Sequence, residues 1–365
     1  MVTKNQHFVP ELLLRRFANE TRDAFRTNVY DISQSQFRRN QNVKDLCAGK
    51  YTYDKDNLIE KYLADSIESP AGKTISEIIN APMSQSTKPS IALLQFILVQ
   101  LARTRRAYEG QQEFVNKFMG TIFTEIAKLN NLDPEAAKAI RIVPKEPRSV
   151  LSSMAIHAAM NYKLIADLAV HVVINQTETE FILCDDPAFQ YNWYLMNSEE
   201  HLSTSITVLG IQFFIPLSPN ISCCLYDPKI YVYGSNRKSY TILTNKIDVN
   251  CMNSYQALNA HHLLMAKSEF MGGSLADLGR KYAERTTYSS HASNTAPEDK
   301  GDGKLRSTHL SWRKQAPISG MPSFVKIKNK VRRRQVVCAD RDPEAVFLHK
   351  TFIDELMRQE KRPND

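Results

Sequence analysis

Between residues 57 and 139 the apolar positions recur every three or four residues. Leu58, Ile59, Tyr62, Leu63 and Ile67 make one stripe, Ile75, Ile78 and Ile79 a second, and Phe114, Phe118, Ile122 and Ile126 a third. That spacing is the helical period. Pro89-Ser90 opens a further helix, Ile91 to Arg106, whose apolar body ends in Arg103, Arg105 and Arg106. Basic side chains in a last turn complement the helix dipole. Asp133-Pro134 starts a short helix, and another is expected from about Ser149 to Leu168. At the opening of the chain Pro10 precedes Glu11-Leu12-Leu13-Leu14-Arg15-Arg16-Phe17, which predicts a short helix beginning near the proline. Gln6 and His7 then lie on an extended segment before it. Asn28 to Ile32 and Lys50 to Tyr53 have the β-branched and aromatic character of strands, and flank an expected surface loop holding Arg38, Arg39, Asn40 and Gln41.

After Pro147 the pattern changes. Val170 to Ile174 and Phe181 to Leu183, around the polar turn Asn175 to Thr179, read as a hairpin; Ile211 to Ile215 and Ile221 to Tyr226 read as another. Ile247 to Met271 predicts a closing helix with Gly272-Gly273 as its stop, on which the adjacent His261 and His262 face different directions. Residues 285–322 are rich in Ser, Thr, Gly, Pro, Asp and Lys and are expected to be a mobile linker or insertion. Phe324 to Val337 alternates apolar with basic residues, and a last helix is expected over Pro343 to Glu360. The expected fold class is α+β: a mainly helical N-terminal half packed against a small antiparallel sheet, then a flexible loop and a C-terminal strand and helix. The corresponding organisation is a main domain over 1–284 (helical layer about 57–168, sheet about 169–245, closing helix about 247–271), a linker over 285–322, and a basic strand and helix over 323–365.

Composition narrows the class. The chain has 365 residues, 42% hydrophobic and 24% charged, which excludes wholesale disorder and collagen-like repeats. The net charge of +8 suits a polyanionic partner. The most apolar run, Ile91 to Ala102, contains Gln95 and Gln100 and is shorter than the about 20 residues of a membrane span, so it reads as a core helix. Six cysteines fall without a CxxC pair, as expected of reduced thiols, and Cys223 and Cys224 would point to opposite faces of a strand. With no apolar signal run in Met1 to Pro10, a cytoplasmic location is expected.

The common nucleotide, protease, lipase and zinc-binding templates are absent. The most chemical-looking segment is Phe181-Ile182-Leu183-Cys184-Asp185-Asp186-Pro187, where two carboxylates stand at the end of an apolar strand. A strand end is a rigid mount for a general base; the plainer reading is a turn capped by Asp185. His7 suits proton transfer near neutrality, or is a buried histidine tied to backbone. Arg103 could grip a phosphate bidentately, or be a surface arginine complementing a helix dipole. Glu60 and Glu68 lie eight apart, roughly on one helix face, and with Asp185 would suit a divalent metal ion, the one candidate cofactor; a solvated face is the alternative. His157 and His171 read as core residues. Lys326, Lys328 and Lys330 on one face of a strand, followed by Arg332, Arg333 and Arg334, could track a phosphate backbone or guard a sheet edge.

Gln6-His7-x-Val9-Pro10 with Leu14-Arg15-Arg16-Phe17 resembles the opening of the bacterial domain-of-unknown-function family DUF4238. In the same order follow Leu58-Ile59-Glu60 with Glu68, Ala102-Arg103-Thr104-Arg105, Cys184 to Pro187, Pro216-Leu217-Ser218-Pro219, and Asn250 with Asn253. Cys184 stands where the family more usually has serine. The resemblance implies a shared polar constellation rather than a reaction. Its catalytic candidates are His7, Arg103, Asp185 and Glu68, supported by Gln6, Asp186 and Asn253. Brought together, they would make a hydrolytic centre for a phosphodiester, so the expected function is a nuclease of RNA or DNA, such as an RNA-cleaving toxin or phage-defence effector. The competing expectation is a non-catalytic module that binds nucleic acid or protein and uses the polar motif as a buried network.

Overall fold

The helix Ile91–Ala102 buries Leu93, Leu94, Phe96, Ile97, Leu98, Val99 and Gln100, nearly its whole circumference, and is the axis on which the helical layer packs. Ser90 caps it by accepting the Leu93 N–H. Against it lie Pro147–Met160, Ser69–Asn80 and the π-helical turn Leu63–Glu68 that continues Leu58–Tyr62. The computed structural model describes residues 5–360, apart from 51, 199–203, 236–237, 286, 296–297, 300–304, 307, 319 and 333–334.

The class is α+β, as the apolar patterning indicates, but the strands form several sheets rather than one small antiparallel sheet. One five-stranded sheet runs Tyr240–Leu243, Ala169–Asn175, Ile221–Tyr226, Gln212–Ser218, Phe189–Tyr191, and it is mixed, because Tyr240–Leu243 pairs parallel to Ala169–Asn175. Gln212–Ser218 and Ile221–Tyr226 make the expected hairpin. On its central strand Cys223 joins one apolar cluster and Cys224 the other, so successive side chains feed cores on both faces.

The second sheet is built from distant segments. Leu263–Ala266 is flanked by Phe25–Asp31 and Leu183–Cys184, and Gln36–Asn42 and Asn19–Glu20 pair with Phe25–Asp31. Three expectations are overturned here. Arg38 to Gln41 belong to a strand, not a loop; its residues are polar apart from Phe37 and leave no apolar alternation. Phe181 to Leu183 does not form a hairpin with Val170 to Ile174, because Leu183–Cys184 takes Leu263–Ala266 as its neighbour. The closing helix stops at Asn259, and Gly272 starts the next helix, Gly272–Tyr282, instead of stopping one. The lost helix length became the buried strand Leu263–Ala266, whose short apolar run carries no period of its own. Gly272 and Gly279 lie close against Phe37 and Tyr30, which places this helix on the sheet.

The expected linker contains, in its described part, an antiparallel ribbon of Tyr288–Asn294 and His309–Gln315 packed against the long helix Arg105–Leu129. The basic strip is also divided. Its strand, Val325–Ile327, pairs with Tyr231–Tyr233, and Asn329–Arg332 is helical, so Lys326, Lys328 and Lys330 do not form a row on one strand. Lys326, Lys330 and Arg332 are exposed, Lys328 is tied by its Nζ to the Pro228 carbonyl, and Arg333 and Arg334 lie outside the described residues. The last helix spans Pro343–Glu360. Among the described residues no helix is long and apolar enough to cross a membrane and no disulfide joins the cysteines.

Candidate functional site

Gln6 sits on the strand Asn5–His7, fully buried. Its Nε2 donates to the Asp54 carbonyl and to Asp54 Oδ1, each at 3.0 Å, and to Asn57 Oδ1 at 3.2 Å; its Oε1 accepts the Tyr53 N–H at 2.8 Å. One amide therefore holds the turn 53–57, and Asp54 Oδ2 accepts the Ile59 N–H as the following helix begins. That helix carries Glu60 and, through its π turn, Glu68 toward the same guanidinium.

Arg103 is 1% exposed, so it is not the surface arginine of a last helical turn. The helix expected over Ile91 to Arg106 breaks at Arg103 and Thr104, and Arg105 starts the next one. Arg103 Nη1 meets Glu68 Oε1 at 2.7 Å. Burial works against its charge, but Glu68, Tyr53 and Glu60 outweigh burial and raise its pKa. Glu60 pays for its position: burial, reinforced by Glu68, pushes it up to about 7 although Arg103 opposes the shift. The His7 ring feels Glu11, Glu68 and Arg103 but is held below its ordinary pKa mainly by burial, and its Nε2 is enclosed without a hydrogen-bond partner. His7, Glu68 and Arg103 are thus brought together.

Asp185 is used differently. Its Oδ1 accepts the His261 N–H at 2.8 Å and its Oδ2 the His262 N–H at 2.9 Å. Both oxygens therefore face backbone, not Glu60 or Glu68. Among the described residues no group of three or more His, Cys, Asp or Glu side chains could hold a metal ion, and Asp185 does not join Glu60 and Glu68 in the expected donor set. Asn253 is also a brace: it accepts the Ile182 N–H and donates to the Glu180 carbonyl.

Asp186 looks the other way, into a cleft of about 590 Å³ lined also by Arg106, Glu109, Asn259, His261, Tyr288 and Arg313. Its Oδ1 accepts from the Thr104 hydroxyl at 3.0 Å. Burial, with help from Asp185 and against Arg106 and Thr104, pushes Asp186 up to about 7. Arg106 fixes the opposite lip, donating through Nη1 to the Leu258 and Ala260 carbonyls and through Nη2 to Thr287 Oγ1. His261 follows Ala260, and its Nε2 lies 3.3 Å from Glu109 Oε2, ion-pair distance without hydrogen-bond alignment. Burial holds His261 below its ordinary pKa against the pull of Glu109. The two histidines do not diverge, since they lie beyond the helix end and their ring centroids are 3.8 Å apart. Of the other histidines, His171 is buried and brought down to about 4 by burial, whereas His157 is exposed on the rim of a larger hollow of about 990 Å³ beside the last helix.

The arrangement is a brace and a cleft. Arg103 reaches Glu68 behind, while the next residue, Thr104, reaches Asp186 in front. Sequence reasoning missed Thr104, Arg106, Glu109, His261 and Arg313. Thr104 lay inside a motif read for its arginines, and His261 was set aside because a helix was expected to point it away from His262.

The site therefore belongs to an α+β protein in which a buried ionic brace lies behind a polar cleft lined by Asp186 and His261. The chain belongs to the family described as "Protein of unknown function (DUF4238)", whose match spans residues 5–270. That span includes Asp186, His261 and the brace, but not Tyr288, Arg313 or the last helix. No curated protein and no solved structure matches the chain.

Proposed function

We propose that this protein is a phosphodiester hydrolase acting on nucleic acid, with its reacting groups in the Asp186–His261 cleft. The observation that carries the reading is one cleft holding a carboxyl raised to about 7 and an imidazole lowered below 6.5. Near neutrality the carboxyl is substantially protonated and the imidazole neutral, which is an acid and a base in the same chamber. In the proposed step His261 takes a proton from water as its oxygen bonds to phosphorus. Asp186 gives its proton to the leaving oxygen as the phosphorus–oxygen bond to that group breaks. Arg313, half-buried in the cleft wall, replaces Arg103 as the cation facing the phosphate.

In this reading Gln6, Glu68, Arg103 and Asp185 are positioning residues: they hold the two backbones on which Asp186 and His261 stand. His7 flanks the brace. The test is cleavage of end-labelled RNA and DNA oligonucleotides by the wild type, Asp186→Asn and His261→Gln. Each substitution is expected to lower kcat by about 10²-fold or more, with circular dichroism and melting showing a folded chain. Wild-type cleavage retained in Asp186→Asn refutes the assignment.

A second reading, a non-catalytic binding module, is favoured by one feature: both oxygens of Asp185 and the guanidinium of Arg103 are engaged inside the protein. It is supported if the folded wild type binds nucleic acid or protein but cleaves neither RNA nor DNA.

A further inference from the structure

The Asp186–His261 cleft adjoins a second hollow of about 860 Å³, and the two meet at Glu113 and Ser290. The second hollow runs between the long helix Arg105–Leu129 and the ribbon Tyr288–Asn294, and its walls carry Lys117, Lys128, Lys138 and Arg141. From Arg106 to Lys128 the helix advances 22 residues, roughly 33 Å at about 1.5 Å each. We propose that the two hollows form one groove for a single-stranded nucleic acid, with the acid and base groups at one end. This rests on the phosphodiesterase reading and extends it to the form of the substrate.

Three features support a single strand. First, two lysines of the second hollow are exposed and paired with carboxylates of their own helices: Lys128 with the buried Glu125 at 2.9 Å and Lys138 with the exposed Glu135 at 2.6 Å, both i,i+3 pairs. An exposed pair such as Lys138–Glu135 is worth about 0–1 kcal/mol, so a phosphate can displace that glutamate at small cost. Second, His291 lines the groove and its ring stacks on Trp312, centroids 5.5 Å apart at 17°. A ring face beside a row of cations is how single strands are bound without sequence preference. Third, Asp186 is 7% exposed at the bottom of the cleft. A flexible single strand can bend a phosphate down to it; a duplex presents a stiff, convex backbone that cannot follow. The chemistry shared by RNA and DNA, a phosphodiester backbone with base π faces, is what the groove recognises.

The experiment measures fluorescence anisotropy of the full chain carrying Asp186→Asn, which keeps substrates intact. The probes are labelled single-stranded RNA and DNA of about 2, 6 and 12 nucleotides and a duplex of about 12 base pairs, within the range of known single-strand site sizes, titrated over KCl concentration. Affinity is expected to rise with single-strand length and to exceed that for the duplex. Adding Lys128→Gln and Arg141→Gln should flatten the salt slope for the longest strand by about 1.4, two phosphates at about 0.7 each, while leaving the dinucleotide unchanged. RNA and DNA arms that differ name the natural strand; equal arms place recognition in the shared backbone; either supports the groove. Equal affinity for dinucleotide and long strand, a duplex bound as tightly, or a salt slope indifferent to the two substitutions overturns it. Dinucleotide cleavage by the wild type is read separately, so loss of length dependence with cleavage intact removes the groove alone, and absent cleavage with length-dependent binding removes the hydrolase alone.

Discussion

Asp185 and Asp186 are neighbours in sequence with the same side chain, and their surroundings make them opposites. Asp185 has one backbone N–H on each oxygen, so both oxygens are spent on holding the backbone at 261 and 262. Asp186 has one hydroxyl donor and near-complete burial, and its carboxyl is pushed up to about 7. The difference is set by which way each side chain leaves the strand end Leu183–Cys184. It leads to a prediction that separates brace from chemistry. Asp185→Asn places an amide NH2 where one N–H must find an acceptor, and should destabilise the fold by about 2–4 kcal/mol in denaturant melts. Asp186→Asn should not destabilise it at neutral pH. Equal stability losses in the two variants would contradict the division.

At the scale of elements, the decisive feature is the break between Ile91–Ala102 and Arg105–Leu129. Thr104 leaves the helix to cap the next one, accepting the Ala107 N–H, and the same hydroxyl donates to Asp186. The break thereby turns Arg103 inward to Glu68 and the following turn outward to the cleft. Arg103→Met should cost about 3–5 kcal/mol, because Glu68 and Glu60 lose the cation that faces them. Adding Glu68→Gln should restore part of that loss, and a double-mutant cycle from chemical unfolding measures it. An additive cycle would mean that the two side chains do not act as a pair. The break was not legible beforehand, since apolar spacing runs smoothly up to Leu101 and the partner of Arg103 lies 35 residues away. Leu263–Ala266 was hidden for a similar reason: four residues of buried strand extend an apolar run without changing its period.

The whole molecule should register the buried carboxyls in its pH dependence. Asp186 and Glu60 have folded pKa values of about 7, against about 4 in an unfolded chain. Between those values the native state binds more protons than the unfolded state, so their contribution to stability falls as pH rises from about 4 to 7. His171 works in the opposite direction: it stays neutral down to about 4, so its contribution falls as pH drops below about 6.5. Asp186→Asn isolates the first effect. The variant should match the wild type near pH 4 and become more stable than it, by on the order of 2–4 kcal/mol, above pH 7. A stability difference independent of pH, measured by urea melts across that range, would show that Asp186 titrates normally.

What the amino-acid order determined by itself is whatever depends on near neighbours. The proline-led first helix, the apolar core helix, the hairpin Gln212–Tyr226, the last helix and the α+β class follow from periods of two and 3.6 and from local caps and turns. The family signature is equally local, a set of short motifs in a fixed order. Only the tertiary structure decided what the polar residues do, because a carboxyl group is an acid, a base or a brace according to the atoms that surround it. Those atoms come from segments 70 to 80 positions away, as His261 and His262 do for Asp185. Burial and long-range pairing have no period along the chain, so they become readable only once the chain has folded.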